Sequence, residues 1–253
     1  MRPVWDGTRS ARRQDSCLHL SNKETMNTFC PRQAALFALL APALGLSPVL
    51  AAPSRPAAKS AAPTAKPPAL AAVPSPWKEA DIGKVGVRGA AHQTGGIWTI
   101  SGAGEDIFGA ADSFHYVWRP WHGDGQITAR VVRYQRRDMW TKVGVMARAS
   151  TAAGAKFADV LVTPDKGAEM QWRTAPGGET QTTDQSPSAA PFWVRLVRAG
   201  DTLTGYVSQD GRHWQPRGKA TVALSEDILL GLCVTSHRND AATEAVVDSV
   251  AVQ

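Results

Sequence analysis

The chain has 253 residues, with 28 Lys and Arg against 22 Asp and Glu and a formal net charge of +6. The basic excess sits entirely at the N-terminus: residues 1–76 hold nine Lys/Arg and three Asp/Glu, while residues 77–253 hold nineteen of each. A neutral folded part has no net pull on a phosphate backbone, which argues against nucleic acid as the partner.

In chain order, residues 1–25 are polar and patternless, and read as a gene-model extension ahead of a true start at Met26. From there MNTFCPRQAALFALLAPALGLSPVLAAP supplies a basic n-region at Arg32, an apolar h-region and a small-residue cleavage site at Val49-Leu50-Ala51. Residues 26–51 are therefore expected to be a signal peptide, with the mature chain exported to the periplasm or outside the cell. Pro42 and Pro48 break the apolar run, so no membrane insertion is expected after processing. Residues 52–76 are Ala/Pro-rich and read as a disordered, extended linker. Cys17 and Cys30 depart with the leader, leaving Cys233 in the apolar run ILLGLCVTS as an inert core thiol.

At Trp77 the composition changes. GQITARVVRY, TKVGVMARAS, KFADVLVTP, AEMQWRT, FWVRLVRAG, DTLTGYVSQDG and ILLGLCVTSH are strand-length segments rich in β-branched and aromatic residues. Turn signals such as GDG at 123–125, APGG at 175–178 and QDG at 209–211 separate them. The predicted fold class is all-β: a two-sheet antiparallel jelly-roll sandwich over residues 77–253, built from roughly a dozen strands.

Alternation gives each strand two faces. Val143, Val145 and Ala147 oppose Lys142, Gly144, Met146 and Arg148. Met170 and Trp172 oppose Glu169, Gln171 and Arg173. Leu232, Val234 and Ser236 oppose Cys233, Thr235 and His237. If these strands are neighbours, their polar faces form one cationic, hydrogen-bonding surface.

The stretch GAGEDIFGAADSFHY, residues 102–116, holds Glu105, Asp106, Asp112 and His115. A glycosidase needs two carboxylates facing each other across the scissile bond, and residues 77–253 contain no E-x-D-x-x-E strand. Glu105 and Asp106 are adjacent and lie in a Gly-rich turn, and Asp112 precedes a strand start, where a short acid caps backbone N–H groups. No zinc-ligand spacing is present. Calcium needs no fixed spacing, and AGEDIFGAAD and HGDG each offer oxygens, so Ca²⁺ is possible although no cofactor is expected. SQDGRHW, residues 208–214, is similar to the Asp-box of sialidase hairpins, S-x-D-x-G-x-x-W, one residue short; it reads as a tight hairpin turn.

Eight of the nine tryptophans lie in residues 77–253. Most are expected in the core. Trp121 and Trp140, in WRPWHGDG and YQRRDMW, read as rim residues able to stack on a sugar ring.

Together IWTISGAGEDIFGAADSFHYVW, GDGQITARV, TKVGVMAR, FWVRLVRAGDTLTGYVSQDGRHW and GLCVTSH resemble, in this order, a bacterial domain family similar to the yeast regulation-of-enolase protein. The resemblance covers nearly all of residues 77–253. It implies a concanavalin A-like lectin/glucanase jelly roll and, more remotely, glycan binding. It carries over no catalytic residue, and the family's expected Trp is Phe108 here.

The resulting expectation is an exported, non-catalytic carbohydrate-binding domain whose partner is a glycan or polysaccharide. Lys142, Arg148, Gln171, Arg173 and His237 would supply hydrogen bonds on a strand face, with Asp112 and His115 at its edge and Trp121 and Trp140 at its rim. Arg and Gln forks suit sugar hydroxyls or uronate carboxylates. Two alternatives remain: a polysaccharide-acting glycoside hydrolase or lyase, and an envelope protein–protein interaction module.

Overall fold

The computed structural model describes residues 73–187 and 189–253. The expected extension, signal peptide and nearly all of the linker lie outside the described residues. No helix occurs among the described residues, and so none that is long and apolar enough to cross a membrane.

Among the described residues, fourteen strands form two antiparallel sheets of seven. Sheet A runs in the order β1 (Lys78–Ile82), β4 (Phe114–His122), β13 (Asp227–Thr235), β6 (Lys142–Arg148), β7 (Phe157–Thr163), β8 (Gly167–Arg173) and β9 (Gln181–Thr182). Sheet B runs β12 (Gln215–Thr221), β11 (Thr202–Ser208), β10 (Phe192–Ala199), β5 (Gly125–Tyr134), β14 (Arg238–Val252), β3 (Ile97–Gly104) and β2 (Ala90–Thr94). The chain passes repeatedly from one sheet to the other, as in a jelly roll. The expected all-β, two-sheet antiparallel sandwich is the fold found.

The inward sides of the two sheets meet in one apolar core. Val143, Val145 and Ala147 of β6, Val160 and Val162 of β7, and Leu230, Leu232 and Val234 of β13 pack against Ile127, Ala129 and Val131 of β5 and Val194 and Leu196 of β10. In β10 burial alternates along the strand, as expected for a sheet with one face toward water. In β6 and β7 it does not: all seven residues of each are buried. Sheet A is therefore covered on both sides.

The outer cover is the chain's own loop, residues 105–113. Ile107 of this loop is fully buried against Phe114, Tyr116, Met146, Phe157, Leu161 and Cys233, a second apolar cluster on the outer side of sheet A. Gly104 starts the loop at φ +130, where a Cβ would lie 2.0 Å from the Ser113 carbonyl oxygen. Only glycine allows the chain to double back that closely. Asp112 N–H donates to Ala153 O at 3.0 Å and Ser113 N–H to Asp106 O at 2.7 Å, so the loop is tied down by backbone bonds at its far end.

The expected open polar face is thereby corrected. β13 and β6 are neighbours and β7 separates β6 from β8, so the named side chains do share one face. That face is mostly covered rather than open.

Candidate functional site

The register arranges the outer face of sheet A in cross-strand rows. One row reads Leu229, Arg148, Phe157, Arg173; the next Gly231, Met146, Asp159, Gln171; the next Cys233, Gly144, Leu161, Glu169. Lys142 stands opposite Thr235 at the end of β6. The two ends of this face have different fates.

At the first end, Asp112 descends from the loop between two arginines. Its carboxylate accepts from Arg148 Nη1 at 2.6 Å and from Arg173 Nη1 and Nη2 at 2.9 and 2.6 Å. All three side chains are fully buried. The guanidinium groups also donate to the carbonyls of Ser150, Ala152, Ala153, Ala155, Gly109 and Gly178. Arg148 and Arg173 lie over the Phe157 ring at 5.6 and 4.9 Å. With its donors satisfied and no exposed surface, this cluster clamps three loops and has nothing left for a ligand. Asp112, Arg148 and Arg173 are corrected accordingly, from binding residues to structural ones. Asp112 is not a turn cap either.

His115 is corrected in the same way. It points to the opposite side of β4 from Phe114 and Tyr116, is 2% exposed, and places Nδ1 2.8 Å from Asp81 and Nε2 3.2 Å from Glu79. Trp121 is half-buried, with its indole N–H donating to Asp124 O at 3.0 Å. It lines a shallow depression with Pro120, His122, Asp227, Ile228 and Leu229. That depression lies at the far end of β13 from His237, roughly 25 Å along the strand at ~3.3 Å per residue.

The other end of the face opens into a cavity of about 240 Å³, where Trp140, Lys142, Gln171 and His237 come together. Four of the nine expected residues thus meet. The remaining lining is Asp106 and Phe108 from the covering loop, Glu169 from β8, Thr182 from β9, and Gln185. Phe108 is 40% exposed at the rim, where the family resemblance called for a Trp.

Charge is concentrated here. Lys142 Nζ is buried, 2.7 Å from Asp106 Oδ1, 3.2 Å from Ile107 O and 3.9 Å from Glu169 Oε1. It sits 5.4 Å from the Phe108 ring centre and 5.9 Å from that of Trp140, a cation held between two aromatic faces. His237 adopts φ 57, in the left-handed region that a non-glycine residue rarely enters. Its ring lies between Asp106 Oδ2 at 3.5 Å and Asp138 Oδ1 at 3.3 Å. Strained backbone of this kind clusters at functional sites.

Gln171 decides the chemistry. It is 1% exposed, its Nε2 donates to Glu169 Oε1 at 3.0 Å, and its Oε1 has no partner. A buried acceptor without a donor costs ~1–3 kcal/mol, which a ligand supplying the donor would recover. Deeper in the sheet, Asp159 stands opposite Gln171 across the β7–β8 ladder, with its Oδ2 also unpartnered. Burial pushes its carboxyl well above the ordinary carboxylate range, and neighbouring Lys142 only partly opposes this.

Among the described residues, no group of three His, Cys, Asp or Glu side chains is placed to hold a metal ion. In the two loops that suggested calcium, the carboxylates of Asp106 and Asp112 face cations, and Asp124 Oδ1 accepts from Gly200 N. The SQDGRHW turn is closed by its own side chains: Asp210 Oδ1 accepts from Arg212 N and His213 N, each at 2.8 Å. These bonds hold the Asp210 carboxyl far below its usual range. Cys233 is buried, and burial pushes its thiol up and keeps it unreactive.

Sequence reasoning placed Glu169 on the right face without assigning it to the site. Its spacing of two from Gln171 was the available signal. Thr182 and Gln185 arrive on an irregular segment after β8 that no periodicity announces.

No family model matches the chain, and no curated protein matches it in sequence. In structure it is similar to a functionally unknown protein from Saccharomyces cerevisiae, at 16% identity, 65% coverage of this chain, 91% of the other and a TM-score of 0.54. It is also similar to a carbohydrate binding module from Bacillus subtilis, at 13% identity, 68% and 95% coverage and a TM-score of 0.43. A lectin complexed with galactose gives 12% identity, 70% and 94% coverage and a TM-score of 0.43. At such identities the likeness concerns the fold, and it rests on the yeast structure. The resemblance read from IWTISGAGEDIF and its companion segments therefore agrees with the structure in fold, without a sequence match to make it membership.

Proposed function

We propose that the chain is an exported, non-catalytic carbohydrate-binding domain whose ligand enters the Trp140–Phe108–Gln171 cavity. The observation that carries this reading is the unpartnered, buried Gln171 Oε1 at an aromatic-rimmed opening. Sugars offer what such an opening needs, namely a flat apolar ring face and hydrogen-bond donors along the ring edge. The cavity, about 240 Å³, is below the ~300–1,000 Å³ of drug-sized sites and suits one ring rather than a chain. A small polar site of this size implies weak binding. The enzyme reading is disfavoured because Glu169 is 1% exposed and already accepts from Gln171, Thr182 and Gln185.

The test is titration of the purified chain with a panel of neutral, amino and acidic oligosaccharides, followed by intrinsic Trp fluorescence. A saturable change with one glycan class is expected, with affinity reduced by about tenfold or more in Trp140→Ala. The same samples should show no shortening of the glycan. Absence of any response from the folded chain would overturn the reading.

A further inference from the structure

The lining of the cavity is unbalanced in one direction. Much of the side-chain donor capacity that faces it is engaged by the protein. Lys142 Nζ serves Asp106 and Ile107 O. Gln171 Nε2 and Gln185 Nε2 each donate to Glu169, at 3.0 and 3.3 Å, and the single Thr182 hydroxyl proton lies between Thr183 O at 3.1 Å and Glu169 at 3.4 Å. The two ring nitrogens of His237 face Asp106 and Asp138. The Trp140 indole N–H at the rim is uncommitted, as is the second proton of each of the Gln171 and Gln185 amides. What remains open in the depth of the site is an acceptor, Gln171 Oε1. Charge leans the same way: Asp106, Asp138 and Glu169 surround the site against one buried ammonium and one imidazole. Lys166, 5.3 Å from the Trp140 ring centre, lines the neighbouring depression instead.

Resting on the carbohydrate reading above, we infer that the sugar this cavity takes carries a free amine. An ammonium group has three donors and no acceptor. It satisfies Gln171 Oε1, meets the carboxylate excess, and needs no free donor from the protein. A neutral hydroxyl or acetamide brings no positive charge to meet the carboxylate excess, and its acceptor lone pairs find only the spare amide protons of Gln171 and Gln185. A uronate brings acceptors only, with like charge. The expected arginine contacts to a uronate are absent because Arg148 and Arg173 are sealed beneath the loop.

The experiment compares four probes on the full chain by calorimetry: a β-1,4-linked glucosamine tetramer, its fully N-acetylated counterpart, a galacturonic acid tetramer and a trilysine peptide. The glucosamine tetramer is expected to bind about tenfold or more tightly than the acetylated one, with no detectable binding of the galacturonate or the peptide. In Gln171→Met, which keeps the volume and removes the acceptor, the preference for the amine should shrink to about twofold. The wild-type rank order needs no variant to fold. Equal or tighter binding of the acetylated or uronate tetramer would overturn the amine assignment and leave the glycan reading standing. Binding of trilysine alone, or of none of the four, would overturn both.

Discussion

A single buried carboxyl shows how finely this face is balanced. Asp159 has an ordinary value of 3.8, and burial raises it in the folded state. The folded chain therefore holds this proton more tightly than the unfolded chain. Its contribution favours folding at low pH and is withdrawn as pH climbs from about 4 through the folded value. Asp159→Asn removes the titration and places an amide where Oδ2 has no partner. The variant should exceed the wild type in stability at neutral pH, where the wild type must hold or lose the proton at a cost. The gap should narrow toward pH 4, as read by urea midpoints across that range. A variant with the same midpoint as the wild type at every pH would contradict this account of Asp159. Residue-scale chemistry also separates the two ends of the face. Lys142 and Arg148 lie on one strand and one side, yet Asp106 leaves its lysine beside an opening while Asp112 closes over its arginine.

At the scale of elements, the covering loop is what converts a sheet face into a cavity. Ile107 anchors it in the outer apolar cluster, between the Lys142–Asp106 contact on one side and the Asp112 clamp on the other. Ile107→Ala should cost ~2–5 kcal/mol, the range for deleting a fully buried aliphatic side chain. It should also raise hydrogen exchange at the Asp112 and Ser113 amides, whose bonds to Ala153 and Asp106 close the loop. Unchanged exchange at both amides would show that the loop is held by the arginine clamp alone. How the loop would sit was not legible in GAGEDIFGAADSFHY. Its turn residues were legible, but the partners of its acids come from β6, β8 and the segment around His237, between 36 and 131 positions away in sequence.

The whole molecule sets the context in which such a site would work. Residues 77–253 are electrically neutral, with nineteen charges of each sign, so approach to a ligand is governed by the local carboxylate excess at the cavity. If the export reading holds, the chain recovered from the periplasm or medium should begin at Ala52, as mass spectrometry of its N-terminus would show. That mature chain should unfold in one cooperative transition by calorimetry, since Trp77 already packs against Trp98 with ring centres 5.0 Å apart at the start of a single inter-sheet core. An N-terminus within residues 1–25, or retention of the apolar run, would defeat that reading.

Much of this architecture follows from local pattern. Alternation and turn chemistry in GQITARVVRY, TKVGVMARAS and FWVRLVRAG are properties of neighbouring residues, so they marked β5, β6 and β10 as strands and the chain as an all-β sandwich. The same alternation put Lys142, Arg148, Gln171, Arg173 and Glu169 on shared strand faces. It could not say whether that face met water, because exposure depends on what a distant segment lays across it. Only the tertiary structure decided that the loop after β3 seals Arg148 and Arg173, that His115 faces Glu79 and Asp81 on the other side of β4, and that a cavity stays open beside Lys142, Gln171 and His237. The physical reason is that a carboxylate's partner, and so the difference between a clamp and a binding site, is fixed by packing between elements far apart in the chain.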